Sequence, residues 1–67
     1  MKPEDVRLKE VLFEFQTQGN YVRVIAVDPC TNTEVTMVGD ASYGDELLKR
    51  IAIRKLKYVI AKQASKR

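Results

Sequence analysis

Three short stretches of the chain alternate apolar with polar residues, and one long stretch repeats its apolar residues every three or four positions. The short stretches are residues 11–16, 21–27 and 34–38, and the long one is residues 43–63. A period of two is typical of a β-strand with one buried face, and a period near 3.6 is typical of an amphipathic helix. The pattern therefore predicts three strands followed by one long helix.

The turns between the strands predict how the strands pair. Gly19-Asn20 is a hairpin turn signal, and a two-residue loop there places Phe15 opposite Val24. A second loop over residues 29–32 places Val24 opposite Met37. With these pairings the alternating apolar residues of all three strands lie on one face, and a slip of one residue would break the match.

The predicted fold class is α+β: a three-stranded antiparallel β-meander packed on one long C-terminal α-helix (β-β-β-α). We expect the helix to cover the sheet face that carries Val11, Phe13 and Phe15, because a sheet buries its apolar face against another element. The predicted core consists of Phe13, Phe15, Val24, Met37, Leu48, Ile51 and Leu56.

The ends of the chain and of the helix have their own signals. Residues 1–8 lack a clear period and are predicted to form a flexible N-terminal arm, so that residues 9–67 form the single β-β-β-α domain. Ser42 and Asp45 have the spacing of a capping box, which predicts that Ser42 caps the helix.

The composition argues against catalysis. The 67 residues include one cysteine, Cys30, and no histidine, so neither an internal disulfide nor a zinc site is expected. A nucleophilic thiol needs a base, usually histidine, and the sequence offers none. We therefore expect a protein that is not an enzyme and needs no cofactor. A lone cysteine and the lack of a signal sequence or apolar span favour the cytoplasm.

The apolar surface exceeds what one sheet and one helix can bury. The apolar band of the helix is nearly twice the width that covering one sheet requires, and the second face of the sheet also carries apolar residues. The candidate contact residues are Leu12, Ile25, Val27, Val38, Ile53 and Ile60. A 67-residue domain is marginally stable alone, so we expect a homodimer, or contact with another protein, to cover this surface.

The charge is divided unevenly along the chain. Residues 1–40 hold seven acids and four bases, whereas residues 41–67 hold two acids and eight bases. Arg50, Arg54 and Lys57 lie at helical spacing on one face, which suits contact with an anion or a phosphate backbone. The leading hypothesis is a self-associating structural or interaction module, and nucleic-acid binding through these three bases is the alternative.

Several short motifs together resemble a family of small bacterial proteins classed as a domain of unknown function. The motifs are residues 10–15, Asp28-Pro29 with Thr31 and residues 33–35, residues 38–42 with Gly44, and Leu48, Arg50, Ala52, Arg54-Lys55-Leu56 and Tyr58-Val59. The resemblance implies a compact β-β-β-α unit. It supplies no catalytic residues.

Overall fold

Three antiparallel strands and one long helix follow one another along the chain. The computed structural model describes residues 1–65. The elements are a 3-10 turn at Pro3–Asp5, β1 at Leu12–Gln18, β2 at Tyr21–Asp28, β3 at Thr33–Asp40, a second 3-10 turn at Ala41–Tyr43, and α1 at Asp45–Ser65. The strands form one open sheet in the order β1-β2-β3, which confirms the predicted α+β, β-β-β-α fold.

The strand register agrees with the register that the turn signals predict. Phe15 lies opposite Val24, and Val24 lies opposite Met37. Gly19 adopts a φ of 58°, a left-handed conformation that glycine reaches without the steric cost of a side chain. Asn32 has the same φ in the second loop, and asparagine tolerates this region better than most residues.

The core lies between α1 and the two strands β2 and β3. Of the seven predicted core residues, Val24, Leu48 and Leu56 are fully buried. Phe13, Phe15 and Met37 are only partly buried at the margin of the core, and Ile51 is also partly exposed. The two phenylalanines are less buried than predicted because α1 lies mainly over β2 and β3 and leaves β1 beside it.

The N-terminal segment belongs to the packed unit, which corrects the predicted domain boundary at residue 9. Val6 is buried in the core, and Leu8 packs against it. The 3-10 turn at Pro3–Asp5 lies against α1. Part of the wide apolar band of α1 is therefore covered by the segment that precedes β1.

The predicted capping box is wrong. The capping residue is Asp40 rather than Ser42, and the element it caps is the short 3-10 turn at Ala41–Tyr43. Asp40 Oδ1 accepts hydrogen bonds from the backbone N–H of Ser42 at 2.8 Å and from the Ser42 hydroxyl at 2.7 Å. These two bonds, the backbone one first, hold the pKa of Asp40 below its usual value. The helix α1 then begins at Asp45, two residues later than predicted, and Gly44 accepts its first backbone hydrogen bond, from Leu48.

A buried polar cluster joins the β2–β3 loop to the C-terminal half of α1. Asp28 and Thr33 are buried, and Asp28 accepts hydrogen bonds from the Cys30 backbone N–H and the Thr31 hydroxyl. The Thr33 hydroxyl lies 2.8 Å from that of Thr31 and donates to Gln63 Oε1 at 3.3 Å. Because each buried polar group has a partner, the cluster fixes the loop without the cost of an unsatisfied group.

Candidate interaction surfaces

A groove lies between α1 and the chain segment that leads into β1. We call it the β1–α1 groove and define it by the residues that line it: Leu8, Lys9, Glu10, Val11, Phe13, Ile53 and Lys57. Leu8, Val11, Phe13 and Ile53 are its apolar residues, and Lys9, Glu10 and Lys57 are charged. An apolar hollow with a charged margin is a feature of binding sites for proteins and ligands.

Two aromatic rings continue the apolar surface of this groove along β1. The ring centroids of Phe13 and Phe15 lie 6.2 Å apart, within the range of a favourable aromatic pair. The ammonium group of Lys49 lies 5.7 Å from the centroid of Phe13. This distance allows a cation–π interaction, which lets a charged residue of α1 cover one part of the exposed ring.

The structure brings the three predicted anion-contact residues together in a second hollow. Arg50, Arg54 and Lys57 line it with Ile53 and with the N-terminal residues Pro3 and Glu4. Since Ile53 and Lys57 line both hollows, this basic region is continuous with the β1–α1 groove. The carboxylate of Glu4 offsets part of the positive charge, and it comes from a segment that helical spacing alone cannot place.

The sheet face opposite α1 carries the second set of predicted contact residues. Leu12 is 50% and Val38 is 58% exposed, while Ile25 and Val27 are half-buried among their neighbours on the sheet. Tyr21, which the sequence pattern does not indicate as a contact residue, is also exposed on this face. No helix of the described residues covers this face, which leaves Leu12 and Val38 open to solvent.

The two predicted contact residues of α1 have different environments. Ile53 is half-buried and lines both hollows, where a partner can reach it. Ile60 is buried in the core, so its assignment as a partner contact is corrected. It lies near the N-terminus of the chain, since it lines a hollow with Met1, and the Met1 amino group donates to the Ser65 hydroxyl at 3.0 Å.

The described part of the chain gives little support to metal binding, thiol chemistry or insertion into a membrane. Within residues 1–65 no group of three or more metal-ligating side chains comes together. Cys30 is exposed in the β2–β3 loop with no described partner for its thiol. Over the same residues no helix has the length and apolar character needed to cross a lipid bilayer.

Comparison with known proteins finds one family. No curated protein and no solved structure is significantly similar to the chain. A family model described as "Domain of unknown function (DUF6898)" matches residues 8–63, which include all three strands and nearly all of α1. The chain therefore belongs to this family of unknown function.

Proposed function

We propose that this chain is a small self-associating interaction module that forms a homodimer in the cytoplasm and acts by binding rather than by catalysis. The observation that supports it best is the uncovered apolar side of β1. Phe13 and Phe15 point to the helix side of the sheet yet remain partly exposed, as does Val11 just before the strand, because α1 lies over β2 and β3. A monomer gains little from such a row of side chains, whereas a second subunit can remove it from water.

The size of the domain supports the same proposal. A chain of 67 residues buries about 60% of its unfolded surface, and no disulfide within the chain is possible with one cysteine. The described core is small and includes three alanines, namely Ala26, Ala52 and Ala61. Subunit contact is a common way for a chain of this size to gain stability. The open sheet face with Leu12 and Val38 would remain for a protein partner.

Sedimentation equilibrium over a range of micromolar concentrations tests self-association. We expect a reversible increase in mass from the chain mass of 7.7 kDa to twice that value as concentration rises. The transition should persist in 0.5 M salt, because the proposed contact is apolar and is not screened by ions. A single species of 7.7 kDa at every concentration would exclude the homodimer.

Binding of a nucleic acid is a second candidate function, favoured by the hollow that collects Arg50, Arg54 and Lys57. Three bases on one side of a helix can neutralise phosphates and release counterions. If the function is correct, replacing all three by alanine should weaken duplex binding and reduce the salt slope by about 2.7, at about 0.9 for each phosphate contact.

Fluorescence titration with duplex and single-stranded oligonucleotides at two salt concentrations measures this effect. Lys62→Ala is the matched control, because Lys62 is an exposed base of the same helix that lies against Tyr58, outside the hollow. Lys62→Ala should leave unchanged the part of the salt slope that the three bases of the hollow contribute. An unchanged slope in the triple variant, or no binding at low salt, would reject nucleic acid as the ligand.

A further inference from the structure

The two edges of the sheet differ in how their backbone groups are covered. Gln18 and Tyr21 close a two-residue loop and so form a hydrogen-bonded pair, and pairs along antiparallel strands then alternate in type. By this alternation the N–H and C=O of Thr36 point away from β2, to the free edge of β3. Lys55 Nζ of α1 donates to the Thr36 carbonyl oxygen at 2.8 Å. A lysine at this position protects an edge strand from pairing with another chain.

The β1 edge lacks such cover. The same alternation directs the backbone groups of Phe13, Phe15 and Thr17 away from β2, to the free edge. Among the described residues, no side chain or backbone group hydrogen-bonds to these three residues from outside the sheet. The two phenylalanine side chains at this edge are also those that α1 leaves partly exposed. Unpaired polar backbone therefore adjoins an uncovered apolar surface.

We propose that β1 pairs antiparallel with β1 of a second copy of this chain, so that the two sheets join into one sheet of six strands. This inference rests on the self-association proposed above and assigns it to one edge. A two-fold axis makes the contact self-complementary, because each copy supplies the same donors and acceptors. The β3 edge is the weaker candidate, since Lys55 already donates to the outward carbonyl of Thr36 in the middle of that strand.

The residues of β1 also select the register of this pairing. Only residues whose backbone groups point outward can form hydrogen-bonded pairs, so Phe13, Phe15 and Thr17 pair among themselves and the two-fold axis passes through one of the residues 13–17. An axis at Phe15 pairs β1 over its whole length, since Phe15 is the midpoint of Leu12–Gln18. An axis at any other residue of β1 leaves part of the strand unpaired.

Charge on the other face of β1 supports the same register. An axis at Glu14 would set this carboxylate directly opposite the partner's Glu14, and like charges in that position are destabilising. An axis at Phe15 instead sets Glu14 opposite the partner's Gln16. Within one chain the Gln16 amide already donates to the Glu14 carboxylate, so the two groups are complementary. On the helix side, Phe15 then meets the partner's Phe15.

Cysteine cross-linking tests the register. In a Cys30→Ser background, Glu14→Cys and Gln16→Cys chains are prepared separately, mixed, and oxidised with diamide, which accepts the two electrons and two protons released by two thiols. Directly opposed residues in a non-hydrogen-bonded pair lie about 4.5 Å apart between Cα atoms, within reach of a disulfide. We expect a disulfide-linked dimer from the mixture and only a trace from either variant alone.

Other cross-linking results would overturn the inference. Efficient cross-linking of Glu14→Cys alone would place the axis at Glu14, and cross-linking of a mixture of Leu12→Cys and Glu14→Cys would place it at Phe13. A dimer in sedimentation that forms no cross-link in any mixture would reject pairing through β1 while leaving self-association in place. A monomer in sedimentation would reject both proposals.

Proline at the outward positions tests the edge itself. Thr17→Pro removes an outward N–H, which proline on an edge strand tolerates within the monomer, and the two-fold axis doubles the loss in the dimer. Two lost hydrogen bonds should raise the dimer Kd by about 5- to 150-fold. Thr36→Pro is the matched control on the β3 edge, and it should leave the dimer Kd unchanged. Circular dichroism verifies that both variants fold, and equal effects of the two prolines would contradict the assignment to β1.

Discussion

Leu48→Ala is expected to lower the free energy of unfolding by about 2–5 kcal/mol. Leu48 is 1% exposed and is one of the three largest fully buried side chains of the chain. The removed methyl groups lose their burial, and the cavity that remains costs further energy because neighbouring groups relax only in part. A domain of this length has about 3–10 kcal/mol of stability, so this one change removes a large share of it.

Leu47→Ala is the matched control, because it makes the same substitution at the adjacent position of α1. Leu47 is 38% exposed, and leucine and alanine both favour helix, so the expected cost is about 1 kcal/mol or less. Urea denaturation measures both variants, at several protein concentrations because dimerisation would add to the apparent stability. Equal losses in the two variants would show that α1 does not face the sheet through Leu48.

The strand register is predictable from sequence because two independent signals agree on it. The Gly19-Asn20 turn sets the loop length, and the alternation of apolar residues sets which face each strand buries. A slip of one residue would move every apolar side chain to the opposite face, so few alternatives remain. The position of α1 across the sheet has no such constraint, since periodicity identifies the face of the sheet that is covered but not which strands.

The sideways position of α1 depends on small residues in the contact between helix and sheet. Ala26 of β2 and Ala52 of α1 are completely buried, and Gly39 of β3 lies against Leu48. Small side chains let the helix approach β2 and β3 closely, whereas the bulkier Phe13 and Phe15 lie on β1, which α1 does not cover. Counting apolar residues overrates the two phenylalanines as core residues, because it does not weigh the volume at each position.

The candidate surfaces are predictable only in part, because the sequence pattern does not show which elements lie side by side. Helical spacing places Arg50, Arg54 and Lys57 on one side of α1, and the structure brings them to one hollow. Helical spacing cannot show that the N-terminal segment forms the other wall of this hollow, since residues 1–8 have no period of their own. The contact of Lys55 with the β3 edge depends on a long side chain reaching a backbone carbonyl, and sequence position alone does not indicate it.

Gly39→Ala is expected to destabilise the domain by about 1–3 kcal/mol through overpacking. A Cβ at residue 39 would overlap the Cδ2 atom of Leu48 and would lie 3.4 Å from the Cε atom of Met37. Leu48 cannot move aside easily because it is enclosed by the core. Alanine at an ordinary extended position would otherwise favour the strand over glycine, so a loss of stability would identify the overlap as its cause. Urea denaturation again supplies the measurement.

Combining Gly39→Ala with Leu48→Ala separates overlap from a backbone effect. If the cost of Gly39→Ala arises from Leu48, shortening Leu48 makes room for the new methyl group, and the double variant should be more stable than the sum of the two single losses predicts. The expected coupling is about 1 kcal/mol or more, which a double-mutant cycle resolves. Strictly additive losses would mean that Gly39 serves the strand backbone, and that helix and sheet approach each other without depending on a glycine at this position.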